Sequence, residues 1–230
     1  MSTGDGQPLK GGDITRAMFR FKKVWQMFVE AGNPPPECSS RTSVHIHIDV
    51  RDLEVSQLKK LFLLYAVFEE TFFKWSDLSR YDSNYCRSLE HNQDITNRLS
   101  TILKISDDMP DLLHAHLSTG NKYDAMNYLS IKQRGSVEFR LMRGTYDTGL
   151  ILQWINLLLC LKLAAKDKSI IIHSFPDDMS RRGLNTLIDQ VFGKWGTFLK
   201  EYASELDILR GVRRSEERRV GKECRSRLSA

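Results

Sequence analysis

Apolar residues recur at helical spacing in several long stretches. Over 14–31 the apolar positions include Ala17, Phe19, Val24, Phe28 and Val29, and Asp13 stands where an N-cap would accept backbone N–H groups. Gly32 and the prolines at 34–36 stop that helix. Over 53–75, Leu58, Leu61, Phe62, Tyr65, Phe68 and Phe72 form one stripe behind a cap at Asp52. A helix over 88–104 carries Leu89, Ile95, Leu99 and Leu103, and 106–122 reads as one short helix ending near Gly120. Behind Asp147, 148–166 is apolar almost throughout. The last helix, 183–203, runs from Leu184 to Tyr202 in a regular three-four pattern.

Three shorter segments alternate with period two. Over 42–50, Val44, Ile46, Ile48 and Val50 share one face of a strand, and His45, His47 and Asp49 share the other. Segments 124–131 and 135–142 read as a hairpin whose turn, Lys132–Gly135, ends on a glycine able to take positive φ. In its second strand Val137, Phe139 and Leu141 point to the core, with Glu138 and Arg140 opposite. Strands and helices mix without a β-α-β rhythm, and no internal repeat is present, so the expected class is α+β with an antiparallel sheet packed against helices.

Composition narrows the picture. With 230 residues, 41% of them apolar, the chain is long enough for one globular core. The net charge of +5 suggests nucleic acid only until its source is located. Residues 213–230 hold seven basic and three acidic side chains, which leaves the body with 27 basic and 26 acidic, a charge of +1. Aromatic and basic residues are not interleaved as a nucleic-acid surface needs, so no nucleic-acid partner is expected. No apolar leader opens the chain, and Gln153, Asn156 and Lys162 interrupt the apolar stretch 150–165, so it reads as a buried helix and not a membrane span. The four cysteines (38, 86, 160, 224) form no CxxC pair and are expected as reduced thiols in a cytoplasmic protein. Three parts result: a flexible 1–12, a domain over 13–212, and a disordered basic tail over 213–230. The tail's composition matches translated adapter or vector sequence better than a native segment.

Candidate chemistry gathers in three places. His45, His47 and Asp49 offer two imidazoles and a carboxylate on one strand face, a platform for a metal or phosphate or simply a solvated polar face. Glu138 and Arg140 pair a cation-binding carboxylate with a group that holds a phosphoryl oxygen, or form a surface ion pair. The polar loop 80–86 and Asn127 present Arg80 and Asn84 to an anionic substrate, or serve only as turn chemistry. Cys86 has no partner that would make it a nucleophile. No P-loop, dinucleotide-binding or nucleophile-elbow motif occurs.

Read in order, Arg41-Thr-Ser-Val-His45-Ile-His47-Ile-Asp-Val-Arg51, then Leu64-Tyr65 and Glu69, Arg80-Tyr-Asp-Ser-Asn84-Tyr-Cys86, Tyr123 and Asn127, Val137-Glu138-Phe-Arg140, and Arg143-Gly-Thr-Tyr-Asp147 before Trp154, these residues resemble the amidoligase family, its phage-associated branch most of all. The resemblance implies a glutamine-synthetase-like catalytic fold and an ATP-dependent carboxylate–amine ligase. ATP would phosphorylate a carboxylate, and an amine would attack the acyl phosphate, with Mg2+ offsetting charge. It implies His45 and Glu138 as metal ligands, His47 beside the nucleotide phosphates, and Arg140 with Glu138 as catalytic groups. Arg80, Asn84 and Asn127 are implied contacts to substrate or nucleotide. The Gly-x-Glu-x-Glu strand with which the family begins is missing, so the chain is expected to be truncated at its N-terminus and to turn over little alone. Two rivals stand: a non-catalytic interaction module, and a metal-dependent phosphohydrolase built on His45, His47 and Asp49. Under the ligase expectation, changes at His45 and Glu138 abolish activity with small effects on stability.

Overall fold

A computed structural model describes residues 9–34, 38–39, 41–81, 83–89, 93–170, 181–204 and 208. Its helices are α1 (Gly12–Glu30), α2 (Val55–Ser76), α3 (Gln93–Lys104), α4 (Pro110–Leu117), α5 (Ser130–Arg134), α6 (Thr148–Lys166) and α7 (Arg181–Phe192). Its strands are β1 (Ile46–Asp49), β2 (Met126–Asn127) and β3 (Ser136–Phe139), ordered β1-β3-β2 and antiparallel throughout. The protein is α+β. The expected tail over 213–230, with its Cys224, lies outside the described residues.

The core lies between the inner face of the sheet and α2, α6 and α7. Ile48, Val137 and Phe139 are buried on the sheet side, as alternation requires. They meet a ring of aromatics. Tyr65 of α2 lies 5.3 Å from Phe139, Phe72 lies 5.2 Å from Trp154 of α6, and Phe68 lies 4.8 Å from Phe192 of α7. Each such buried ring stabilises by roughly 1.5–3 kcal/mol relative to exposure. Helix α6 is long and apolar enough to cross a membrane by length and composition alone. Here Trp154, Leu157, Leu158 and Leu161 are buried within the fold.

Local signals place most element ends. Asp147 caps α6, its Oδ1 accepting from Gly149 N at 2.8 Å and Leu150 N at 3.2 Å. Gly135 takes φ 64° directly before β3, and a Cβ there would stand 2.4 Å from Arg51 Cγ. Several expectations need correction. The residue that caps α2 is Glu54, in a capping box with Gln57, while Asp52 binds Lys162 and Lys166. Asp13 lies inside α1 and pairs with Arg16 instead of capping it. Residues 130–134 are a helical turn, so the hairpin connection is helical and β2 is only two residues long. The last helix breaks at Gly193 (φ 52°) and continues as a 3-10 helix over Gly193–Glu201. In α1 only Met18 is buried, and Phe19, Val24 and Met27 stay exposed.

Candidate active site

The register of the sheet assembles the site. His47 of β1 pairs across with Glu138 of β3, and Glu138 pairs across with Asn127 of β2, so the three occupy one row. His45 and Arg140 each stand two residues along the same faces, just beyond the paired ends. Side chains then converge on the Glu138 carboxylate. Oε1 accepts from His45 Nδ1 at 2.9 Å and from Arg140 Nη1 at 3.0 Å. Oε2 accepts from Asn127 Nδ2 at 2.7 Å. His47 Nε2 lies 3.8 Å from Oε1. Because an ionised carboxylate only accepts, the network puts a proton on His45 Nδ1, and Nε2 shares a hydrogen bond with the Ser43 hydroxyl at 2.6 Å.

Electrostatics follow from that geometry. Glu138 is only 8% exposed, and burial alone would push its carboxyl up. Hydrogen bonds from His45 and Asn127 and the Arg140 charge outweigh burial and hold it at about 2. His47 is pushed below its ordinary value, first by burial and further by Arg134 and His45, with Glu138 pulling the other way. It is therefore a neutral imidazole at pH 7. Its Nδ1 shares a hydrogen bond with Ser136 Oγ at 3.1 Å, and Arg134 Nη1 reaches its Nε2 at 3.4 Å.

Thus five of the eight candidate residues (His45, His47, Asn127, Glu138, Arg140) meet in one cluster. Asn84 is exposed in its turn, and no hydrogen bond ties its side chain to the cluster among the described residues. Arg80 is 1% exposed. Its Nε donates to Leu141 O at 2.9 Å, Nη1 to Thr42 O at 3.0 Å and Nη2 to Arg140 O at 3.2 Å. These bonds fasten the segment entering β1 to the segment leaving β3, so Arg80 holds the backbone on which His45 and Arg140 stand. Asp49 is turned away to Arg51, which donates from Nε at 2.9 Å and Nη2 at 2.6 Å. Ser43, Ser136 and Arg134 join the cluster without having been singled out from sequence. Ser43 stands one alternation before His45 and was findable. Arg134 was not, because its position depends on the helical turn α5.

The arrangement does not fit a divalent cation. No group of three His, Cys, Asp or Glu side chains able to hold a metal occurs among the described residues. Glu138 supplies the one carboxylate of the cluster. Both its oxygens are engaged, and an arginine cation sits 3.0 Å from Oε1, where a metal would have to bind. His45 and Glu138 come together as a hydrogen-bonded pair, not as two ligands facing an ion. The polar face of β3 is also less superficial than alternation implied. Asn127 and Glu138 are buried, so changes there carry a stability cost.

The polar sheet face thus gathers one acceptor carboxylate with several cationic or imidazole groups, on an α+β frame. The chain belongs to the amidoligase family: the family model described as "Putative amidoligase enzyme" matches residues 14–162, more than half of its length. Comparison with curated proteins and with solved structures finds no match. At this level the chain is an amide-bond-forming ligase by family.

Proposed function

We propose that the chain is an ATP-dependent carboxylate–amine ligase that works through an acyl phosphate, with the β1–β3 polar face as its reacting surface. The observation that carries this is the convergence of His45, Asn127 and Arg140 on one buried carboxylate, Glu138, in a chain of the amidoligase family. Arg140 is the group suited to the acid. It is held between Glu138 and the Tyr123 ring, and its Nε is buried with no acceptor among the described residues. The side chain as a whole keeps 14% exposure, through which a substrate oxygen meets the guanidinium.

The chemistry balances as follows. A carboxylate oxygen attacks the terminal phosphorus of ATP, the bridging P–O bond breaks, and ADP leaves with the electron pair. The amine nitrogen then attacks the acyl carbon, the C–O bond to phosphate breaks, and phosphate departs. The proton lost by the amine needs a base, and we assign that role to neutral His47, which Ser136 holds at the edge of the cluster. Glu138 stays ionised and keeps Arg140 and His45 in position.

Hydroxylamine tests this. Purified chain incubated with ATP, a panel of carboxylic acids and hydroxylamine is expected to give an acid-dependent hydroxamate at a low rate, in line with little turnover by this chain alone, and to lose it in Arg140→Ala. Absence of hydroxamate and of ADP with every acid would overturn it.

A further inference from the structure

From Arg140 a row of cations and tyrosines leads away from the cluster, and beyond Arg140 the ligase chemistry does not use it. Arg140 Cζ lies 5.9 Å from the centroid of the Tyr123 ring, and Lys122 Nζ lies 5.0 Å from the same centroid. Tyr85 meets Tyr123 edge-on at 6.0 Å. Arg41 Cζ then lies 5.2 Å from the Tyr85 centroid, and Arg41 Nη2 donates to the Tyr85 hydroxyl at 2.9 Å. The row therefore runs from the reacting surface outward: Arg140, Tyr123 with Lys122, Tyr85, Arg41.

Two properties make this more than a solvated patch. Among the described residues, neither Arg41 nor Lys122 is paired with a carboxylate, whereas Arg140 is held by Glu138. Both are also anchored over aromatic rings, which limits the rotamer freedom a ligand would otherwise have to freeze. Fixed, unpaired cations leading away from Arg140 select a ligand with negative charge along its length. Building on the ligase reading, we infer that the acid substrate is an oligocarboxylate. One carboxylate meets Arg140 and reacts, and further carboxylates dock on Lys122 and Arg41.

The test is binding of two uncapped tripeptides, Glu-Glu-Glu and Gln-Gln-Gln, to the full chain by calorimetry at low salt. Glu-Glu-Glu is expected to bind at least tenfold more tightly. The double variant Arg41→Gln/Lys122→Gln changes exposed side chains only and is expected to weaken Glu-Glu-Glu about tenfold, two exposed charge contacts acting together, without altering Gln-Gln-Gln. Tyr85→Ala, which removes the seat of Arg41, weakens Glu-Glu-Glu in the same direction. Raising the ionic strength narrows the gap between the peptides. Equal affinity for the two peptides, or an unchanged double variant, overturns the inference. Adding ATP and hydroxylamine separates it from the ligase reading. Selective binding without hydroxamate leaves the oligocarboxylate site standing and removes the ligase. Hydroxamate formed equally well from acetate and Glu-Glu-Glu leaves the ligase standing and removes the oligocarboxylate site.

Discussion

Replacing Glu138 by Gln removes one charge at nearly constant shape, and the structure sets what that costs. The carboxylate is held at about 2 against an ordinary value of 4.5. At about 1.4 kcal/mol per pH unit, that difference is worth roughly 3 kcal/mol of stability at neutral pH. Leaving Arg140 without its partner gives a figure of the same order, since breaking a buried pair costs about 3–5 kcal/mol and this one is slightly exposed. The pH dependence follows from the direction of the shift. A depressed carboxylate stabilises fully above its unfolded value and loses that contribution as pH falls through the folded one. Wild type is therefore expected to lose roughly 3 kcal/mol between pH 4.5 and about 2 through this group. Urea unfolding of wild type and Glu138→Gln, followed by circular dichroism from pH 5.5 downward, checks this. The variant is expected to be weaker by about 3 kcal/mol at pH 5.5, with the gap closing toward pH 2. A gap under about 0.5 kcal/mol, or one that does not change with pH, would refute the convergence of His45, Arg140 and Asn127 on this carboxylate.

Other perturbations test the frame. Arg80→Met removes the guanidinium donor to the carbonyls of Thr42, Arg140 and Leu141, of which Thr42 O keeps Gly144 N, and is expected to cost about 3 kcal/mol, read by urea unfolding, with Arg80→Lys recovering only part. Asp147→Ala removes the acceptor for two N–H groups at the start of α6 and is expected to cost about 1 kcal/mol in the same assay. Gly135→Ala is expected to lower the melting temperature, by about 1–2 kcal/mol of backbone strain together with the displacement of Arg51. Burial pushes the Cys86 thiol up to about 12, so with a disulfide reagent Cys38 is expected to react in the native protein and Cys86 only on unfolding.

What was legible in the sequence is what local pattern encodes. Helix α6 begins at its Asp147 cap, Gly135 takes positive φ, and alternation puts His45 and His47 on one face and Glu138 and Arg140 on another. All of these depend on neighbours a few residues away. What was not legible depends on distant ones. Nothing in the loop 80–86 marks Arg80 as a buried clamp, because its three acceptors come from about 40 and 60 residues away in sequence. Polar alternation along β3 does not reveal that it is the central strand, and that is why Glu138 is buried. The amphipathic pattern of α1 shows which side is apolar without showing whether anything covers it, and Phe19 and Val24 stay exposed. Segment 124–131 reads as a strand by local pattern, but its end folds into the helical turn Ser130–Arg134, and that turn brings Arg134 to His47.

Oxygen transfer from the acid tests the central claim most directly. If a carboxylate oxygen attacks ATP and phosphate later leaves the acyl carbon, that oxygen must end in inorganic phosphate. The measurement supplies an acid labelled with heavy oxygen in its carboxylate, together with ATP and an amine, and reads the released phosphate by mass spectrometry. One labelled oxygen in each phosphate formed, with amide in equal amount and neither product from Arg140→Ala, is the predicted result. Phosphate released without label, or released with no acid present, would contradict a ligase and favour simple phosphate-ester hydrolysis.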